Sequence, residues 1–162
     1  TAELLAPFAP GSADALRRLT YNPMAVVHLD AASELDAAGF QVQYDEPFRT
    51  LGVTGTGALF DRGRRHTAYL GGGRTPGLVE RSPSAIREIA EREFAALTGV
   101  EATAVDVRRL RRGMPAYDTT WDALEAVDLP EGAHICANYA ARAGIPGRLG
   151  EAERLAESLT DG

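Results

Sequence analysis

Apolar positions along the chain recur with two periods, and the switch between them separates a strand-rich stretch from helical ones. The run Met24-Ala-Val-Val-His-Leu-Asp30 is dense in branched apolar residues. Phe40, Val42 and Tyr44 alternate with glutamines, which places them on one face of a half-buried strand. Leu51–Gly55 and His66–Gly71 read as two more strands. Asp45-Glu46-Pro47 and Asp61-Arg62-Gly63 supply the turn chemistry between them. Links this short predict an antiparallel meander.

At Ser82 the period becomes helical. Ser82 is a good N-cap, Pro83 suits the first helical position, and Ile86, Ile89, Ala90, Phe94 and Leu97 share one face. Gly99 ends this helix over 83–98. A strand over 104–110 follows, and a shorter helical pattern occupies 2–19 on both sides of the Pro7–Gly11 break. Sheet, covering helix and further strand predict an α+β layer. Residues 111–131 read as a connector in which Thr119 or Thr120 caps a short helix carrying Trp121, Leu124 and Val127.

The chain ends on a predicted strand–turn–helix. AHICANYA reads as a short apolar strand, Gly144-Ile145-Pro146 as a small-residue turn, and the rest as a helix. Leu149, Ala152, Leu155, Ala156 and Leu159 make its apolar stripe. A strand delivering the chain to a helix N-terminus with little side chain in the way presents backbone N–H groups and the positive end of the helix dipole, a site suited to anions.

Composition narrows the possibilities. The 162 residues are 44% hydrophobic and 25% charged, the balance of a globular rather than a disordered chain. All 17 basic residues are arginine, against 23 acidic ones, and the net charge of −6 argues against nonspecific nucleic-acid binding. No apolar run is long enough for a membrane span or resembles a signal peptide, so a cytoplasmic location is expected, with attachment at a membrane surface left open. The single cysteine, Cys136, excludes an internal disulfide and is expected as a small buried hydrophobe on the terminal strand. His28, His66 and His134 lack ligand spacing, so no metal site is expected. Gly55-Thr-Gly57 and Gly71-Gly72-Gly73 both fall short of the G-x-G-x-x-G fingerprint and read as strand ends and turns.

Several motifs occur in an order that resembles the C-terminal half of the protoporphyrinogen oxidase and flavin-containing amine oxidase superfamily. They are LLAPFAP…ADALRRLTYNPMAVVHL, LGVTGTGALF, TAYLGGGR, SPSAIREIAEREFAALTGV, RGMPAY and CANYAARAGIP. The resemblance implies a partial substrate domain over 1–112. It also implies a connector with the terminal segment of an FAD domain over 113–162. Asn138, Ala143, Gly144 and Ile145 then take the flavin-contacting positions, and Tyr117 takes a tyrosine position beside the substrate.

The activity implied is oxidation of a small-molecule substrate by hydride transfer to FAD. A porphyrinogen, and thus porphyrin biosynthesis, is one candidate. Arg109 and Arg111, in the only dense basic run, are candidates for recognising substrate carboxylates, because arginine binds them bidentately. Without the phosphate loop the chain alone is expected to hold FAD poorly and to be inactive apart from an FAD-binding domain. Catalytic residues and oligomeric state are not assigned by the sequence. The alternatives are a flavoenzyme like the carotenoid desaturases or amine oxidases, and a non-catalytic ligand-binding or interaction module.

Overall fold

A computed structural model describes residues 1–35, 37–140 and 144–160. The chain divides into two compact units, one of residues 21–116 and one of residues 1–20 with 117–162.

The first unit is built on a sheet that has five strands among the described residues, in the order β2-β3-β4-β1-β5. These are β1 Tyr21–Ala31, β2 Gly39–Gln41, β3 Thr50–Thr54, β4 Arg65–Gly71 and β5 Ala102–Pro115. Every neighbouring pair is antiparallel. The α+β class, the antiparallel sheet and the long helix are as the sequence predicts. Only β2, β3 and β4 form a true meander, however. β1 lies between β4 and β5, which pair its backbone N–H and C=O groups on both flanks, while its alternate residues Ala25, Val27, Leu29 and Ala31 are buried on one face.

Helix α4, Pro83–Thr98, supplies the cover. The Ser82 hydroxyl accepts from the Ala85 N–H at 3.2 Å, and Gly99 closes the last turn at φ +73°, a conformation that a β-carbon disfavours. Ile86, Ile89, Ala90 and Phe94 pack against Val27, Leu29, Val53, Ala68 and Leu70 in one core. Burying Phe94 or Ile86 contributes about 1.5–3 kcal/mol each, and Phe94→Ala is expected to cost about 3–5 kcal/mol.

Other departures from the sequence reading have local causes. Residues 56–60 form a short helix, α3 (Thr56–Phe60), in which the carbonyl of Gly63 lies only 1.7 Å from where a β-carbon would stand at Gly57. A chain that tight is open to glycine alone. β2 stops at Gln41, and Tyr44 is exposed. Arg74 draws the following loop aside by donating to the carbonyls of Gln43 (2.7 Å), Phe48 (3.0 Å) and Glu46 (3.3 Å). His28 and His66 do not meet. His28 pairs with Thr67, with Nδ1 3.0 Å from the threonine hydroxyl, while His66 faces the core against Phe94, ring centroids 5.2 Å apart.

The second unit contains α1 (Ala2–Leu5), α2 (Pro10–Arg17), a 3-10 helix (Thr119–Ala126) and α5 (Ile145–Thr160). Residues 133–137 alternate between half-buried and exposed, as a strand would, but no ladder forms there among the described residues. The predicted terminal strand lacks a partner. Cys136 is therefore exposed rather than buried. The stripe of α5 has the predicted period, yet no residue of the helix is buried, and Leu149 and Leu159 are exposed.

Candidate functional site

The candidate cofactor segment lies in the second unit, and its local order starts at Asp118. This carboxylate, not a threonine, caps the 3-10 helix. It accepts from the Thr120 N–H at 2.9 Å and from the Thr120 and Thr20 hydroxyls at 2.5 Å each. Those hydroxyls, with the backbone N–H, hold its pKa below the ordinary carboxylate value. At the far end, Ser12 of α2 accepts from the Asp128 N–H at 2.9 Å and donates to the Asp128 carbonyl. Asp118 and Asp128 are thereby both tied to residues 1–20, through Thr20 and through Ser12 of α2.

Between these ties the helix presents Trp121. Its indole N–H donates to the carbonyl of Tyr139 at 2.7 Å, and the ring of Tyr117 meets it edge-on at 4.4 Å and 73°. Tyr139 lies in a turn over 137–140 closed by the Ala140 N–H donating to the Ala137 carbonyl at 3.1 Å. Asn138, beside it, is exposed. The structure thus links two predicted site residues, Tyr117 and Asn138, through a tryptophan that the sequence reading placed only on a short helix. The missed signal was chemical. A partly buried indole N–H requires an acceptor, but sequence spacing does not name the carbonyl 18 residues away.

Nearby, Leu16, Leu124, Val127, Leu129, Ile135 and Leu155 line most of an apolar cavity of about 350 Å³. Ala143 lies outside the described residues. Gly144 follows at φ +100°, a conformation open chiefly to glycine, and a β-carbon there would have only Pro146 Cδ near it, at 3.8 Å. Ile145 is exposed and begins α5, whose first turn carries no acidic side chain. Asn138 is thus exposed, Gly144 has no close described neighbour, and the first turn of α5 carries no acidic side chain.

Arg109 and Arg111 belong to β5 in the other unit. Arg109 donates to the Arg81 carbonyl at 3.2 Å. Arg111 holds Glu80 bidentately, with its Nε and Nη2 3.2 and 3.1 Å from the two carboxylate oxygens. Arg108 pairs instead with Asp106 at 3.1 Å and holds that carboxyl below its ordinary pKa. Among the described residues no group of three or more His, Cys, Asp or Glu side chains could hold a metal ion, and no helix is long and apolar enough to cross a membrane.

The described chain superposes with a TM-score of 0.69 on a solved structure from Exiguobacterium sp. 255-15, whose name gives it provisionally as a protoporphyrinogen oxidase. The match has 18% identity and covers 98% of this chain and 39% of that one. In sequence, the chain is 27% identical over 132 residues to protoporphyrinogen oxidase 2, chloroplastic/mitochondrial, of Arabidopsis thaliana, covering 72% of this chain. No protein-family profile matches. The chain resembles the C-terminal part of the protoporphyrinogen oxidase superfamily. It spans about a quarter of the length of the curated relative, 26%.

Proposed function

We propose that this chain is part of an FAD-dependent oxidoreductase similar to protoporphyrinogen oxidase, contributing a portion of the substrate domain and the terminal cofactor segment. The observation that carries the reading is the agreement of two independent likenesses. One is in sequence over 132 residues and the other in structure over 98% of the chain, and both lead to proteins bearing the same enzyme name.

Bound flavin supplies the two-electron acceptor that amino-acid side chains lack. The chain's own groups then orient and tune. The N-terminus of α5 favours negative charge placed against it by about 0.3–1 kcal/mol, rising to about 2 kcal/mol where water is partly excluded. Gly144 removes the side chain that would hold a planar ligand away from that helix end, and the Asn138 amide offers both a donor and an acceptor. Arg111, which already binds a carboxylate through both ends of its fork, would exchange Glu80 for a carboxylate on the substrate. Arg109 would take part beside it in the same unit, Tyr117 stands in the other unit at the substrate position that the resemblance implies, and a porphyrinogen with acidic side arms is the proposed substrate class.

The pyrophosphate of FAD needs a glycine-rich loop that this sequence does not contain. The purified chain is therefore expected to be colourless, and FAD titrated into it should show no saturable binding at micromolar concentration. A yellow preparation with stoichiometric flavin would overturn the reading of the chain as one portion of the site. The gene upstream of Thr1 provides the complementary test. An open frame beginning with a dinucleotide fingerprint is expected there, and its absence would favour a non-catalytic role.

A further inference from the structure

We infer that Trp121 is a positioning residue for the cofactor segment, acting through the backbone of Tyr139 to fix the turn that presents Asn138. The inference rests on the proposed flavin role of that segment, but its geometry stands independently of flavin. The turn over 137–140 is closed by a hydrogen bond from the Ala140 N–H to the Ala137 carbonyl. The carbonyl of Tyr139, at a central position of the turn, takes no part in that bond. It receives the Trp121 indole N–H at 2.7 Å instead. A turn with a single closing bond can pivot about its ends, whereas one also held at a central carbonyl cannot.

The donor is itself held in place. Tyr117 packs edge-on against the indole, and Asp118 caps the helix from which Trp121 projects. Tyr117 adopts φ +52°, a left-handed conformation costly for a non-glycine residue, and the surrounding contacts sustain it. The Tyr117 hydroxyl is buried with no hydrogen-bond partner among the described residues, so packing against Trp121 sets its ring. The order runs from Tyr117 to the Trp121 ring plane, then to the Tyr139 carbonyl, then to Asn138. Asn138 is exposed and has no hydrogen bond from its own side chain among the described residues to hold it. The Trp121 contact with the neighbouring Tyr139 carbonyl therefore contributes to its placement.

The test uses the 162-residue chain without flavin and reads amide hydrogen exchange by NMR. In the unaltered chain the single indole N–H is expected to be protected; an indole that exchanges as freely as an exposed one overturns the inference whatever any variant does. Trp121→Phe keeps an aromatic ring and removes the donor. Losing one hydrogen bond of about 1 kcal/mol should speed exchange of the Ala140 amide about fivefold and raise backbone mobility at Asn138, while amides of α4 and the sheet keep their rates. Leu124→Ala weakens the packing of the same 3-10 helix but leaves the donor in place, and it should leave the Ala140 amide close to its original rate. Equal acceleration in both variants, or none in Trp121→Phe, would show that Trp121 merely fills space. These readouts contain no flavin. If the chain bound FAD stoichiometrically, the proposed function would fail and the positioning result would stand; the reverse failure would leave the proposed function untouched.

Discussion

Glu93 on α4 reaches across the core edge and accepts both the backbone N–H and the hydroxyl of Thr50, each at 2.8 Å. The same carboxylate oxygen takes the Arg49 N–H at 3.0 Å. Glu93 and Thr50 are both buried, so this single oxygen satisfies three donors at the start of β3. The longer contact of its second oxygen with the half-exposed Arg49 guanidinium, at 3.6 Å, adds little by comparison. Glu93→Ala would strand the Thr50 donors away from water and should cost about 2–4 kcal/mol. Glu93→Gln keeps a carbonyl acceptor and should cost about 1 kcal/mol. Denaturant unfolding of both variants checks this, and equal losses would mean that charge rather than acceptor count matters.

Acid should loosen the sheet unit through His66. This side chain is buried against Phe94, its Nε2 has no partner among the described residues, and burial lowers its pKa below the ordinary 6.5. The unfolded chain therefore takes up a proton that the folded chain refuses. The stabilisation is complete above about pH 6.5 and is lost as the pH falls through that value toward the lower folded pKa. Thermal midpoints followed from pH 7.5 downward should decline across this window, and His66→Phe should flatten the decline. An unchanged slope in the variant would assign the effect to other groups.

Arg74 controls the loop between β2 and β3. Its guanidinium serves three carbonyls of residues 43–48 and lies 4.8 Å from the ring centroid of Tyr44. Arg74→Ala should weaken the loop locally by roughly 1–3 kcal/mol and make it the first site of limited proteolysis. Lysine is not expected to rescue it, because an ammonium cannot reproduce the planar fork.

Ile145 offers a test of the cofactor segment in which stability and binding move in opposite directions. Ile145→Asp places a negative charge in the first turn of α5. The isolated helix end should gain about 0.3–1 kcal/mol from the dipole, so the thermal midpoint of the chain should hold or rise. In the proposed intact flavoprotein the same charge would oppose an electron-rich flavin and lower its occupancy. Full flavin content in that variant would show that the end of α5 does not face the cofactor. Gly144→Val is less informative, since φ +100° makes any side chain there strained whether or not flavin is near.

Where the sequence was legible, local and tertiary preferences agreed. Ser82, Pro83 and Gly99 mark the limits of α4 by their own backbone chemistry, and Ile86, Ile89 and Phe94 declare its buried face. The failures share a different cause. The strand expected over 133–137 has the right alternation but no ladder, because strand formation depends on a neighbour that periodicity cannot reveal. Gly57 looked like part of a turn, since the carbonyl of Gly63 that crowds it is distant in the pattern though close in space. In the candidate site, Gly144 and Asn138 could be named from motif order. The Trp121 contact with Tyr139 could not, because an indole donor gives no sequence mark of which carbonyl it will reach.

The position of β1 inside the sheet has a consequence for how the chain comes together. β1 is the earliest of the five strands to be synthesised, yet half of its ladder is with β5, the last, from Ala31 opposite Ala102 to Tyr21 opposite Pro115. A hairpin-like assembly of β2, β3 and β4 can recruit β1 through β4 while one flank of β1 still has bare N–H and C=O groups. Until β5 arrives, that flank is an open template for a strand from another molecule. The arginines of β5 cannot guard it, because they travel on the strand that is missing. Yield of the folded protein should therefore depend on how quickly residues 102–115 follow the rest, and chaperone demand should peak just before they emerge.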